Sequence, residues 1–89
     1  MLERIYQNQF VRDAQKLKSR GKDLTKMEVI IILLLNQKAL PQKNRNHKLK
    51  GNFQTCWECH IEPDWLLIYK KTSSAIILMR TGMARVMED

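Results

Sequence analysis

FQTCWECHIEPDWLLIY, residues 53–69, is the stretch that decides the fold. From Phe53 to Ile61, mostly apolar side chains occupy the odd positions and more polar ones the even positions. Side chains alternate between the two faces of a strand, so this pattern predicts a strand with one buried and one polar face. Pro63-Asp64 predicts a turn, and Trp65 to Tyr69 predicts a second strand.

The flanking sequence extends this sheet in both directions. After a turn at residues 72–74, Ala75 to Arg80 is predicted as a third strand that ends at Thr81-Gly82. Short turns between consecutive strands indicate an antiparallel meander. Near the start of the chain, Leu2 to Tyr6 is predicted as a short first strand.

Two helices are predicted between the first strand and the meander. Phe10, Ala14 and Leu17 follow the i, i+4, i+7 spacing of an amphipathic helix, and Gly21 is expected to end it. The second helix runs to about Gln37, and two N-terminal caps are possible. Residues 25–28 have the spacing of a capping box, with Asp23 as the rival N-cap.

The centre of the second helix, residues 29–35, is apolar all round. This pattern is typical of a central helix or a buried strand, but it also fits a helix with one face that binds a partner. Both interpretations stay open from sequence alone. Two helices and a meander give an α+β fold, predicted to be a single domain spanning residues 1–89.

Composition restricts the class of protein. The chain has 89 residues, of which 44% are hydrophobic, so we expect one globular domain with a modest core. Sixteen Lys and Arg against nine Asp and Glu give a net charge of +7, which favours a polyanionic partner such as nucleic acid. We expect no signal peptide and no membrane association, and therefore a cytoplasmic protein with free thiols.

Cys56, Cys59 and His60 complete a C-x-x-C-H pattern, the attachment motif of c-type haem. On an extended strand, residues three apart point to opposite faces, so one haem or one zinc ion would not reach both thiols. We therefore predict no metal and no cofactor. Cys59 is expected in the core and Cys56 as a partly exposed thiol.

Four polar residues outside this motif suit metal-free RNA cleavage: His47, His60, Asp64 and Arg80. Histidine titrates near neutral pH and can move the protons, while arginine can hold two phosphate oxygens. Taken singly, each also has an ordinary interpretation as a solvated, turn or strand-edge residue.

A longer pattern adds to these residues. Residues 47–51 (HKLKG), 58–69 (ECHIEPDWLLIY) and 80–82 (RTG) resemble the YafQ-like branch of the RelE/ParE toxin superfamily. The resemblance implies two N-terminal helices packed on a four-stranded, mainly antiparallel sheet. It also implies a toxin of a type II toxin–antitoxin system that cleaves messenger RNA on the ribosome without metal. The implied partners are an antitoxin, the ribosome and mRNA, with operator DNA bound only through the antitoxin complex.

The resemblance also implies roles for individual residues. His47, His60 and Asp64 match the family's proton-transfer positions, and Arg80 matches its phosphate-stabilising arginine. Trp65 matches a residue beside the active site and is predicted to bind substrate. The basic segment Lys38 to Lys50 is expected to be an exposed loop that lies along RNA phosphates. Its residues predicted to contact the substrate are Arg45, Lys48 and Lys50.

The end of the chain departs from the family pattern. A catalytic histidine, usually the general acid, is replaced by Ala84, and a terminal aromatic residue by Glu88. Three explanations stay open. The chain is a weakened toxin in which His47 or His60 acts as acid, an inactivated copy, or a protein that only binds antitoxin and takes part in operator repression.

Overall fold

The computed structural model describes residues 1–50 and 55–87. Its elements follow the chain in this order: β1 (Glu3–Tyr6), α1 (Asn8–Ser19), α2 (Leu24–Leu35), a short 3-10 helix (Gln42–Asn44), β2 (His47–Lys48), β3 (Trp57–Glu62), β4 (Trp65–Lys71), β5 (Ala75–Met83) and α3 (Ala84–Met87). The predicted α+β class is confirmed.

The strands of the described residues form one sheet in the order β1-β5-β4-β3-β2. β1 runs parallel to β5, and the other neighbours are antiparallel. The prediction of four strands is wrong because β2 adds a fifth within the predicted loop Lys38 to Lys50. A strand of two residues is too short to produce an alternating pattern, so the sequence gives no signal for it.

The helices begin and end close to the predicted positions. α1 buries Phe10 and Leu17, and Gly21 follows it with a φ of +87°, a conformation that glycine adopts without steric cost. Asp23 is the N-cap of α2, since its carboxylate accepts a hydrogen bond from the Thr25 backbone N–H at 3.0 Å. The rival capping box is not used, and α2 ends at Leu35 rather than near Gln37.

The apolar centre of α2 is a helix rather than a strand, and most of it is buried. Its buried residues are Met27, Ile30, Ile31, Leu34 and Leu35. Val29 and Ile32 are 59% and 43% exposed, so a narrow apolar stripe faces outward. The central-helix interpretation of residues 29–35 is therefore confirmed, and partner binding through the exposed stripe stays a prediction.

Two strand boundaries differ from the predictions. β3 begins at Trp57 rather than at Phe53, which lies outside the described residues together with Gln54. β5 continues through Thr81 and Gly82 to Met83, because both residues pair with β4 and these ladder hydrogen bonds outweigh the turn propensity of glycine.

The core lies between the helices and one face of the sheet. Its central sheet residues are Cys59, Trp65, Leu67, Tyr69, Ile76 and Leu78. Glu58 and His60 alternate with Cys59 and therefore lie on the opposite, open face. In the part of the chain that the structure describes, no helix is long and apolar enough to cross a membrane.

Candidate active site

His60 lies on the open face of β3, and a hydrogen bond fixes its ring. Its Nδ1 atom is 2.9 Å from the carbonyl oxygen of Pro63 in the β3–β4 turn. A carbonyl oxygen only accepts, so Nδ1 carries the hydrogen. In the neutral ring, Nε2 then has a free lone pair and is able to take a proton.

His47 lies on β2, directly opposite Glu58 of β3. Its Nδ1 atom is 2.7 Å from the carbonyl oxygen of Arg45, and its Nε2 atom is 3.4 Å from Oε1 of Glu58. Both ring nitrogens face oxygen acceptors, an arrangement that a ring protonated on both nitrogens satisfies. His47 is thus suited to donate a proton.

Arg80 lies near the end of β5, and its side chain is held by α1. Its Nε donates to Oδ2 of Asp13 at 2.8 Å, and Nη2 approaches Oδ1 at 3.5 Å. The guanidinium is thus held by α1 beside the outer edge of β5.

Asp64 is an exposed residue of the β3–β4 turn. Its backbone carbonyl accepts a hydrogen bond from the Ala84 N–H at 2.7 Å, which brings the beginning of α3 beside the turn. Residue 84 therefore lies next to Asp64 in the fold, although 20 positions separate them in the sequence.

The sheet register shows how far these groups are brought together. Glu58 pairs with Ile68, and Ile68 pairs with Arg80, so all three point to the open face. Neighbouring strands are about 4.8 Å apart, which places the backbones of Glu58 and Arg80 roughly 10 Å apart. His47 and His60 lie on adjacent strands at one side of this face, and Arg80 lies across it on β5.

A cleft of about 300 Å³ opens next to Arg80, with Cys56, Ile68 and Met79 among its walls. Cys56 is buried, so its prediction as a partly exposed thiol is wrong. Cys59 lies in the core on the other side of the sheet, and burial raises the pKa of its thiol to about 12. Among the described residues, no three His, Cys, Asp or Glu side chains form a group that would hold a metal ion.

The residues predicted to bind substrate divide into two groups. Arg45, Lys48 and Lys50 are exposed, and Nζ of Lys48 lies 6.0 Å from the centre of the Trp57 ring. Trp65, in contrast, is fully buried, and its Nε1 donates to Oγ1 of Thr81 at 3.0 Å. A direct contact between Trp65 and substrate is inconsistent with this burial, because its ring packs in the core behind the sheet.

Two residues of the site are absent from the sequence prediction. Glu58 is two positions before His60, so the alternating pattern already places both on one face, but its pairing with His47 depends on the undetected β2. Asp13 is three positions after Phe10 and four before Leu17, on the buried face of α1. A carboxylate on an otherwise apolar helix face needs a hydrogen-bond donor within the fold, so the sequence contained a signal for this contact.

Comparison with known proteins identifies the family of the chain. Residues 2–87 match the sequence profile described as "Bacterial toxin of type II toxin-antitoxin system, YafQ". The chain belongs to the YafQ toxin family. It is 36% identical over 78 residues to the mRNA interferase toxin YafQ of Escherichia coli K12, which covers 86% of this chain and 85% of that relative.

Solved structures show the same fold. The E. coli DinJ–YafQ complex matches with a TM-score of 0.91 and 31% identity, and the match covers 100% of both chains. A copper-bound mutant toxin from Helicobacter pylori matches with a TM-score of 0.94 and 31% identity, over 98% of this chain and 99% of that one. Both matches span almost all of the two chains compared.

Proposed function

We propose that this member of the YafQ family is a metal-independent endoribonuclease that cleaves messenger RNA on the ribosome and is attenuated by Ala84. The observation that carries the proposal is the pair of fixed imidazoles, His60 with a free Nε2 and His47 with acceptors at both nitrogens. Its E. coli relative is named an mRNA interferase. The net charge of +7 favours a polyanionic substrate.

His60 acts as the general base in this proposal. Its Nε2 takes the proton of a ribose 2′-hydroxyl, and the 2′-oxygen attacks the adjacent phosphorus. The bond from phosphorus to the 5′-oxygen breaks, which leaves a 2′,3′-cyclic phosphate and a new 5′-hydroxyl. The hydrogen bond to Pro63 keeps Nδ1 protonated, so Nε2 stays available as an acceptor.

His47 acts as the general acid that protonates the departing 5′-oxygen. The Arg45 carbonyl orients the ring, and the Glu58 carboxylate lies 3.4 Å from its Nε2. Arg80 stabilises the negative phosphorane, and Asp64 belongs to the proton-transfer group by resemblance. The exposed cations Arg45, Lys48 and Lys50 contact RNA phosphates.

Attenuation follows from residue 84. The family resemblance places a catalytic histidine there, next to Asp64 in the fold. Alanine has no group that donates or accepts a proton, and the loss of one general acid typically costs about 10²–10⁴ in rate. Cleavage then depends on the two remaining histidines.

The proposed partner is an antitoxin, because the E. coli relative has been solved in the DinJ–YafQ toxin–antitoxin complex. The exposed apolar stripe at Val29 and Ile32 favours a second candidate function, in which the chain only binds antitoxin and contributes to operator repression. The two candidates differ in whether the free chain cleaves RNA.

The test is cleavage of a defined message on programmed ribosomes by the purified chain and by His60→Asn. Asparagine keeps a donor for the Pro63 carbonyl but has no nitrogen that takes up a proton, so it conserves the turn and removes the base. We expect slow cleavage by the parent, unchanged in excess EDTA, and none by His60→Asn. Equal cleavage by both proteins would remove His60 from the mechanism. No cleavage by the parent even with Ala84→His would favour the binding-only function.

A further inference from the structure

The ion pair between Arg80 and Asp13 joins an exposed side chain to a nearly buried one. The Asp13 side chain is only 11% exposed, whereas that of Arg80 is 47% exposed. The carboxylate is thus the anchored partner, and the arginine reaches from it toward solvent. The two residues are 67 positions apart and connect α1 to β5.

Asp13 is itself fixed from three directions. Besides Arg80, its Oδ2 accepts from the Thr81 backbone N–H at 3.2 Å, and its Oδ1 accepts from Nε2 of Gln9 at 2.9 Å. Burial raises the pKa of Asp13, but the hydrogen bonds from Arg80, Gln9 and Thr81 outweigh this effect, and the pKa lies below its ordinary value. The carboxylate is therefore charged at neutral pH.

The sheet topology explains why Asp13 is placed there. β1 pairs with β5 only as far as Leu78, which pairs with Tyr6. Beyond that point the outer edge of β5 has no strand neighbour among the described residues, and Asp13 of α1 satisfies the N–H of Thr81 instead. The Asp13 carboxylate thus lies beside Arg80, the candidate phosphate-binding residue of β5.

We propose that Asp13 is a positioning residue that holds Arg80 ready for the reacting phosphate. An arginine has five N–H donors; Asp13 engages Nε and one side of Nη2, so the outer N–H groups are left for phosphate oxygens. A second, smaller cleft of about 70 Å³ is lined by Asp13, Arg80, Lys16 and Arg20, so its cations outnumber the carboxylate. This inference rests on the proposed nuclease function.

An alternative role for Asp13 is purely structural, as a link between α1 and β5. The two roles differ in their dependence on Arg80. A positioning residue has no effect on cleavage once Arg80 is gone, whereas a structural link affects cleavage and folding in either background. A double-mutant cycle separates them.

The experiment compares Asp13→Asn, Arg80→Ala and the double variant, in the parent or in Ala84→His, whichever cleaves faster. The matched control is Glu28→Gln, which breaks the bidentate pair of Glu28 with Arg4, both bonds 2.7 Å. We expect Asp13→Asn to lower the single-turnover rate about tenfold with intact Arg80 and to change it less than twofold with Arg80→Ala. Asp13→Glu should restore part of the rate, and Glu28→Gln should leave it unchanged.

A second readout is independent of RNA cleavage. In ¹⁵N-labelled protein, the Nε–H of Arg80 should exchange slowly with water and give a resolved signal in the parent, and should lose this protection in Asp13→Asn. An unchanged Nε–H signal, or equal rate losses in both Arg80 backgrounds, would overturn the positioning role. If no variant cleaves RNA while the signal behaves as expected, the nuclease proposal fails but the Asp13–Arg80 coupling stands.

Discussion

Ala84→His is the substitution that most directly tests the proposed attenuation. Residue 84 begins α3 and is half-buried, and its backbone N–H donates to the carbonyl of Asp64. A histidine there would extend from a backbone already bonded to the turn that carries Asp64. The new imidazole would therefore start from a backbone position beside Asp64, and the bond that holds this position does not depend on the side chain.

The expected gain is large compared with the local cost. Restoring a general acid should raise the cleavage rate about 10²–10⁴-fold, equivalent to about 3–5 kcal/mol of transition-state stabilisation. Histidine in place of alanine costs at most about 0.7 kcal/mol of helix propensity. Because α3 has only four residues at the end of the chain's described part, this cost should leave the fold intact.

The assay is single-turnover cleavage of a defined message on programmed ribosomes, with circular dichroism to check folding. Ala84→Gln is the matched control, since glutamine is polar and long enough to make hydrogen bonds but does not transfer a proton. We expect the histidine variant alone to gain rate. If the histidine and glutamine variants gain equally, residue 84 improves binding rather than proton transfer. If neither gains, the assignment of an acid to residue 84 is refuted.

Two further predictions concern stability, both measured by urea unfolding. Asp23→Ala removes the N-cap of α2 and should lower the free energy of unfolding by about 0.5–2 kcal/mol, whereas Thr25→Ala should cost less; the opposite order would indicate that the capping box is used. Glu62 accepts hydrogen bonds from Lys22 and Lys26, which lower its pKa from 4.5 to about 2. A lowered folded-state pKa contributes stability above pH 4.5 that is lost as the pH falls toward 2, so Glu62→Gln should flatten the loss of stability over this range; an equally steep loss would contradict the pairing.

The parts of the fold that repeat a simple period could be predicted from the sequence. Cys59 and Ile61 alternate with His60, and β3 has one core face and one open face as the pattern requires. Phe10 and Leu17 likewise mark the buried side of α1. These predictions succeed because every second residue of a strand, and every third to fourth residue of a helix, faces the core. The apolar residues at these positions make the period visible in the sequence.

The boundaries that were mispredicted depend on partners remote in sequence. Thr81 and Gly82 have the composition of a turn, but β4 supplies their hydrogen-bond partners and extends β5. His47 and Lys48 form a strand only because Trp57 and Glu58 pair with them. Cys56 is buried although it occupies a position of the predicted polar face. Such effects come from tertiary contacts, which local patterns do not encode.

The candidate site likewise combines local contacts with contacts between remote residues, and this bears on the proposed attenuation. The rings of His47 and His60 are held by the carbonyls of Arg45 and Pro63, each within three residues, so these contacts are local and independent of the end of the chain. The bond between Ala84 and Asp64 joins backbone atoms, so it forms with any residue other than proline at position 84. The alanine thus removes a side chain without disturbing the groups around it. A chain organised in this way should respond to one restored histidine, whereas a chain with a collapsed site would not.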